Sequence, residues 1–177
     1  YIGEYALVSY TIISYVNTIV VMSMAGIAQG TQPLISYYYG KNESEKYKKL
    51  LKYGMVAAAA GSVAAVLICY VGAESIVGLF LKESEASLSV YSVRVLRIFI
   101  LSFLLAGLNV VLGGYFTSVE KAGFATMISL TRSLIALVIS LVFLTAVFGG
   151  EAIWWAPLIA ESCCLVLSAG LYQWYRK

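Results

Sequence analysis

The chain has 177 residues, of which 61% are hydrophobic and only 12% are charged, and it contains no histidine. A typical soluble domain has about 25% charged residues, so this composition excludes a soluble globular protein and indicates helices in a lipid bilayer. The formal net charge is +3. In a membrane protein this small excess says little about nucleic acid, and we expect no nucleic-acid partner.

Five hydrophobic segments follow one another along the chain. They run over about 6–37, 54–81, 91–117, 123–148 and 152–174. Each is long enough to cross a hydrocarbon core, which needs about 20 helical residues, whereas barrel strands are shorter and alternate in polarity. The sequence therefore predicts an all-α membrane protein with five transmembrane helices in a single domain over residues 1–177.

Basic residues concentrate in alternate connections between these segments. Eight of the twelve Lys and Arg residues lie after the first segment, after the third and at the C-terminus: Lys41, Lys46, Lys48, Lys49, Lys52, Lys121, Arg176 and Lys177. The other connections carry mainly glutamates. Because short basic loops stay in the cytoplasm, we expect a multi-pass protein of the bacterial plasma membrane, with its N-terminus outside and its C-terminus cytoplasmic.

Three ionisable residues lie deep within the segments, where they are costly and usually functional or paired. At about 1.5 Å per residue, Arg97 lies about 9 Å and Glu161 about 14 Å below the outer ends of their helices. Arg132 runs the other way and falls in the cytoplasmic half. On depth alone, Arg97 is the expected partner of Glu161. A structural ion pair and a proton or cation site at Glu161 both remain open.

Four further residues are candidates for a cavity wall. Gln29, Gln32 and Pro33 lie together near the end of the first segment, and Asn109 lies in the middle of the third. Pro33 removes a backbone hydrogen bond and is expected to bend its helix, and the two glutamines either satisfy the freed carbonyls or line a cavity. The glycines around Asn109 allow close helix contact, which favours a hydrogen-bonded packing role over substrate contact.

Enzyme chemistry is disfavoured by the residues that are present. Without histidine there is no Ser–His or Cys–His arrangement, and GKNESEK lacks the spacing of a phosphate-binding loop. The three cysteines, Cys69, Cys163 and Cys164, have no metal-ligand spacing. We therefore expect no enzyme activity, no metal and no bound cofactor.

Three stretches of the sequence resemble a known family. AQGTQPLISYYYGKN (28–42) is similar to the stretch that ends the eighth helix of multidrug and toxic compound extrusion (MATE) transporters. LRIFILSFLLAGLNVVLGGYFTSVEKAGFATMISLTR (96–132) resembles their tenth and eleventh helices, and GGEAIWWAPLIAESCCLVLSAG (149–170) resembles the loop and helix that follow. The resemblance is collinear and covers nearly the whole chain.

The resemblance implies a fold and a function. The fold would be part of the C-terminal six-helix bundle of a MATE transporter, helices eight to twelve, with the N-terminal lobe and the seventh helix missing. The function would be antiport, in which organic cations or amphipathic drugs leave the cell in exchange for protons or sodium. Gln29, Gln32 and Pro33 would face the internal cavity or hinge of this lobe. Since residue 1 is Tyr and opens almost inside a hydrophobic segment, we expect the chain to be a fragment.

Two departures from the family pattern concern ion coupling and the bend of the fourth segment, and two alternatives to an antiporter remain open. The third segment carries no acidic residue of the kind that couples ions in some members, and the fourth lacks the proline common in the middle of the eleventh helix. A related lipid-linked-sugar flippase, with Arg97 and Arg132 in a cationic cavity, is one alternative. A truncated membrane protein that transports nothing is the other.

Overall fold

The computed structural model describes residues 2–82 and 85–176, which form helices joined by short connections. The α-helices are α1 (Ile2–Gly40), α2 (Ser44–Val71), α3 (Ala73–Gly78), α4 (Ala86–Ile100), α5 (Phe103–Ser118), α6 (Ala122–Leu130), α7 (Ala136–Phe148) and α8 (Ala156–Tyr175). A π-helical turn (Thr131–Ile135) joins α6 to α7, and a 3₁₀-helix (Gly150–Trp155) leads into α8. No β-strand occurs within the two described ranges.

The all-α membrane fold expected from the sequence is confirmed. Among the described residues, four continuous helical stretches are long and apolar enough to cross a bilayer: Gly3–Gly40, Ser44–Val71, Ala122–Phe148 and Gly150–Tyr175. The pair α4–α5 is a fifth span if its two helices are taken together. At 38 residues, the first stretch is about 57 Å long and extends well beyond a hydrocarbon core of about 30 Å.

Three of the predicted segments contain breaks that hydropathy alone does not indicate. The third segment is interrupted after Ile100, and α4 and α5 meet at an angle of 41°. The fourth contains the π-helical turn at Thr131–Ile135. The second segment is also different in its bounds, since α2 begins at Ser44 and ends at Val71, and the short α3 follows. By contrast, α1 continues through Pro33.

Glycines allow α1, α2 and α5 to pack closely at the centre of the bundle. A Cβ atom on Gly107 of α5 would lie 2.4 Å from Ser62 Oγ and 3.3 Å from the Ala58 carbonyl oxygen, both on α2. A Cβ atom on Gly114 would lie 2.8 Å from Gln32 Nε2 on α1. Small residues allow such approach between membrane helices, so the predicted close contact around Asn109 is confirmed at these two positions.

Basic and aromatic side chains gather at one end of the bundle. Ser36 Oγ at the end of α1 donates a hydrogen bond to the Ser118 carbonyl oxygen at the end of α5 (3.2 Å). The ring of Tyr115 contacts rings from the start of α2 and the end of α8. Cations at this end lie over tyrosine rings in five pairs: Lys41–Tyr37, Lys46–Tyr38, Lys49–Tyr53, Lys121–Tyr175 and Arg176–Tyr172.

The opposite end carries glutamates. The Tyr91 hydroxyl donates to Glu151 Oε1 (3.2 Å) and accepts a hydrogen bond from Trp154 Nε1 (3.1 Å), which joins α4 to the 3₁₀-helix. The ring of Tyr5 near the start of α1 lies 6.2 Å from that of Tyr91. The lysine end also carries Glu43, Glu45 and Glu120, so the two ends differ mainly in the excess of lysines at one of them.

Candidate functional site

A cavity of about 950 Å³ lies among α1, α5, α6, α7 and α8 and is open to the surroundings. Its wall is largely apolar, with side chains such as Ile13, Phe99, Leu137 and Leu141. Clefts of about 300–1,000 Å³ with mainly apolar walls and a few polar groups are typical of small-molecule sites. The dimensions and the lining therefore suit an amphipathic organic molecule.

The polar part of the wall comes from residues spaced along two helices. On α1, Tyr10, Ser14 and Asn17 recur at intervals of three and four residues. On α6 and the π-helical turn, Ser129 and Ser133 are also four residues apart. Such spacing places side chains on one face of a helix. Polar residues at helical spacing within an apolar segment are therefore the signal in the sequence that indicates this part of the wall, and Tyr10, Ser14, Asn17, Ser129 and Ser133 were not among the site residues expected from the sequence.

A buried ion pair lies in the cavity wall. Arg132 Nε donates a hydrogen bond to Glu161 Oε1 over 2.6 Å. Only 11% of the Glu161 side chain and 23% of the Arg132 side chain are exposed. Charge-assisted hydrogen bonds of this length in a poorly solvated site are among the stronger contacts in proteins.

Asn109 completes the arrangement around the carboxylate. Its Nδ2 atom donates to Glu161 Oε2 (2.7 Å) and to the Glu161 backbone carbonyl (3.0 Å). Each carboxylate oxygen of Glu161 therefore has its own donor, one charged and one neutral. Asn109 is fully buried, and its Oδ1 atom has no hydrogen-bond partner within the described part of the chain. The predicted packing role of Asn109 thus takes the form of holding Glu161 in place.

Three helices bring these side chains together. Glu161 lies in the second turn of α8, and Asn109 lies between Gly107 and Gly114 of α5. Arg132 is in the π-helical turn. Turns of this kind are often found at functional sites, because the extra residue changes which side chains face the neighbouring helices.

The sequence-based choice of Arg97 as the partner of Glu161 is wrong. Arg97 Nη2 instead contacts Glu74 Oε1 (3.1 Å), and its guanidinium lies 5.2 Å from the ring centroid of Tyr70. The depth argument used the rise along each helix but not the direction in which each side chain points. Arg97 faces α2 and α3, away from α8, and Arg132 occupies the position beside the carboxylate.

The three candidates on α1 lie apart from this cluster. Gln29 and Pro33 are exposed, Gln32 is half-buried against Gly114, and none of the three belongs to the cavity wall. Among the described residues, neither glutamine makes a side-chain hydrogen bond, so neither of the two roles expected for them is seen. The structure brings together Asn109, Arg132 and Glu161 and leaves Gln29, Gln32, Pro33 and Arg97 outside.

The cavity wall carries one positive and one negative charge, Arg132 and Glu161, among the described residues that line it. Its net charge is therefore zero. This is not the strongly cationic cavity expected of a lipid-linked-sugar flippase. What the arrangement offers a ligand is a carboxylate and a guanidinium side by side within an apolar wall.

Taken together, the chain is a multi-pass helical membrane protein with a large cavity and a buried ion pair, features expected of a transporter lobe. A model of the MatE family matches residues 1–142. The chain therefore belongs to the MATE family of multidrug efflux transporters. It is 26% identical over 166 residues to the multidrug export protein MepA of Staphylococcus haemolyticus, covering 94% of this chain and 36% of that protein.

Other similar proteins are also named as multidrug export or resistance proteins. MepA from a Staphylococcus aureus strain is 24% identical over 162 residues, covering 92% of this chain and 35% of that protein. A solved outward-facing multidrug resistance MATE family transporter has a TM-score of 0.86 at 18% identity, covering 98% of this chain and 38% of that one. A solved inward-facing multidrug resistance MATE family transporter has a TM-score of 0.82 at 17% identity, covering 95% of this chain and 38% of that one. The chain thus spans about a third of the length of these relatives.

Proposed function

We propose that this chain is the C-terminal lobe segment of a secondary transporter that exports amphipathic drugs, organic cations among them, in exchange for a proton or sodium. The missing part would comprise the seventh helix and the N-terminal lobe. The observation that carries the proposal is the open cavity of about 950 Å³ with a buried carboxylate in its wall. The curated relatives are named as export proteins, which fits transport rather than catalysis.

The likeness to two solved conformations supports alternating access. The chain has a TM-score of 0.86 to the outward-facing form and 0.82 to the inward-facing form. A lobe that fits both states this well is expected to move largely as one body. Rocking of one bundle against another around a central site is a common mechanism in transporters built from related halves.

We propose Glu161 as the residue that couples transport to a cation, and its position supports this role. It is the acidic residue that faces the cavity among the described lining residues. Intramembrane carboxylates are rare and often belong to proton or ion relays. Binding of a proton or a sodium ion at this carboxylate would weaken its hold on Arg132 and change what the cavity presents to a drug.

The polarity of the bundle supports an orientation in the membrane. Lysines and tyrosines gather where α1 ends and α2 begins, and Glu151 lies at the other end. By the rule that basic loops stay inside, the lysine end is cytoplasmic and the start of α1 is outside. The membrane is proposed to be the bacterial plasma membrane.

The test uses the complete gene product that contains this chain, produced in a bacterium that lacks its main efflux pumps. Thr126→Trp places a large ring in the cavity, because Thr126 lines it. Met127→Trp is the matched control, since Met127 is the next residue, is 47% exposed and lies outside the cavity wall. Accumulation of a fluorescent lipophilic cation is measured with and without a protonophore and with and without sodium.

We expect the wild type and Met127→Trp to lower dye accumulation in the cells. Thr126→Trp, at equal abundance in the membrane, should lower it much less. A wild type with no effect on dye accumulation would refute drug export and favour either a lipid-linked substrate or the absence of transport. Equal activity of both tryptophan variants would remove the cavity from the transport route. Sensitivity to the protonophore without sodium would assign the proton as the coupling ion.

A further inference from the structure

We propose that Tyr70, Glu74 and Arg97 form a binding site for the headgroup of a zwitterionic phospholipid with a primary ammonium group, such as phosphatidylethanolamine. The three residues lie outside the cavity wall, on the side of the bundle formed by α2, α3 and α4. The inference goes beyond the proposed export function, because it requires only that α2 spans the membrane.

Tyr70 lies at the level of the lipid headgroups. The exposed side chains of Lys52 and Tyr53 mark the other boundary of α2, near its start. Between Lys52 and Tyr70 the helix rises by about 27 Å, which is close to the hydrocarbon thickness of about 30 Å. Tyrosines are enriched at both interfaces of a membrane. A charged group that lies against the ring of Tyr70 is therefore at the headgroup level as well.

Arg97 and Glu74 present opposite charges side by side at this level. Arg97 Nη2 donates a hydrogen bond to Glu74 Oε1 (3.1 Å), and the guanidinium lies 5.2 Å from the centroid of the Tyr70 ring. The side chain of Arg97 is 36% exposed and that of Glu74 is 76% exposed. Among the described residues, Arg97 Nη1 and Glu74 Oε2 have no hydrogen-bond partner. Arg97 Nε is buried, so the donors that a ligand can reach are those of the two Nη groups.

The headgroup of phosphatidylethanolamine matches this pair in charge and in hydrogen bonding. A guanidinium can bind a phosphate through two parallel hydrogen bonds. The ammonium group, two carbons away from the phosphate, has three N–H donors for the carboxylate of Glu74. A choline headgroup carries the same charge but has no N–H to donate. An anionic phospholipid can reach Arg97 but is repelled by Glu74.

The surface beside the cluster suits an acyl chain. Leu67 and Val71, one turn apart on α2, are both well exposed. From Leu67 a shallow apolar groove of about 580 Å³, lined in part by alanines, continues along α2 to Val56. Its length is about 16 Å at the helical rise, which is about half of the hydrocarbon thickness and so about the depth of one leaflet. A phospholipid bound at the Arg97–Glu74 pair therefore has a place for one chain on the same helix.

The experiment measures which phospholipid lies beside this cluster in the complete transporter. A fluorescent label is attached to Val71→Cys in a version without the native cysteines, and the protein is placed in phosphatidylcholine bilayers that contain a growing fraction of lipid with brominated chains, which quench the label on contact. The brominated lipids are phosphatidylethanolamine, its mono- and dimethylated forms, phosphatidylcholine and phosphatidylglycerol. The methylated series keeps the charge and removes N–H donors one at a time, so it tests the site without any change in the protein.

Three substitutions are then compared in the labelled protein. Arg97→Gln and Glu74→Gln each remove one charge of the pair. Arg94→Gln is the matched control, because Arg94 is exposed and lies one turn before Arg97 on α4, but among the described residues it pairs with neither Glu74 nor Tyr70.

We expect phosphatidylethanolamine to bind beside the label about three to five times more strongly than phosphatidylcholine, as for a largely exposed ion pair, with the methylated forms in between. Arg97→Gln and Glu74→Gln should bring this ratio close to one, and Arg94→Gln should leave it unchanged. Equal quenching by the two lipids in wild type would overturn the proposal, and so would an unchanged preference in Glu74→Gln. Stronger binding of phosphatidylglycerol than of phosphatidylethanolamine would also overturn it, because Arg97 would then act as a simple anion site.

Discussion

The ion pair between Arg132 and Glu161 predicts that the protein is more stable with both charges, or with neither, than with only one of them. Arg132→Gln would leave the carboxylate of Glu161, only 11% exposed, with Asn109 as its remaining donor. Removing one partner of a buried pair costs about 3–5 kcal/mol. We expect about 3 kcal/mol here, because Asn109 still compensates part of the charge. Glu161→Gln should cost less, about 2 kcal/mol, since the guanidinium of Arg132 has access to the cavity.

The double variant R132Q/E161Q should cost only about 1–2 kcal/mol, less than Arg132→Gln alone, because no unpaired charge remains buried. The corresponding coupling energy is about 3–4 kcal/mol, at or just above the upper end of measured pair couplings. The assay is equilibrium unfolding of the purified complete transporter in mixed micelles with increasing sodium dodecyl sulfate. Arg97→Gln is the control, and its partner Glu74 is 76% exposed, so we expect a loss below about 1 kcal/mol.

This reasoning would be refuted if the stability costs of Arg132→Gln and Glu161→Gln were additive. If the cost of the double variant equals the combined cost of the two single variants to within about 0.5 kcal/mol, the two side chains are not coupled. The carboxylate of Glu161 would then be stabilised by other groups, and Arg132 would be free for a different role. A stability loss from Arg97→Gln as large as that from Arg132→Gln would equally contradict the partner assignment.

Two further predictions concern packing and orientation. Gly107→Ala should destabilise the bundle by about 1–3 kcal/mol, because the added Cβ would lie 2.4 Å from Ser62 Oγ. Gly113→Ala should cost little, because the nearest atom to its added Cβ would lie at 3.9 Å. The same unfolding assay compares the two variants, and equal losses of stability would contradict the close contact at Gly107. In a transporter without its native cysteines, a membrane-impermeant thiol reagent added to whole cells should label Glu151→Cys and not Lys41→Cys, both exposed positions at opposite ends of the bundle. The reverse pattern would invert the proposed orientation.

The fold class could be predicted because it depends on properties that a sequence displays directly. Long apolar runs and the position of the lysines follow from composition along the chain, and the family resemblance added the order of the helices. The breaks could not be predicted in the same way. The residues at 101–102 and the turn at Thr131–Ile135 are as apolar or as helix-compatible as their neighbours, and only packing determines that the regular helix is interrupted there.

The three residues of the cluster around Glu161 were among the sequence-based candidates, but their pairing was not predicted. Asn109, Arg132 and Glu161 were identified because polar groups are rare in such segments, which is a strong signal. Choosing Arg132 over Arg97 as the partner of Glu161 requires the direction of each side chain around its helix. The bend of 41° before α5 and the π-helical turn at Arg132 both alter that direction, so counting residues along regular helices gave the wrong partner.

The π-helical turn also has a consequence for how the chain tolerates insertions and deletions. A turn of this kind contains one residue more than a regular helix needs to cover the same length. Deleting one residue from Thr131–Ile135 could therefore restore a continuous α-helix from α6 to α7 without shortening the span, whereas a deletion elsewhere rotates the remaining residues by about 100°. The gain in regularity would come at the expense of the direction of Arg132, so the shortened chain should leave the Glu161 carboxylate unpaired and lose stability much as Arg132→Gln does.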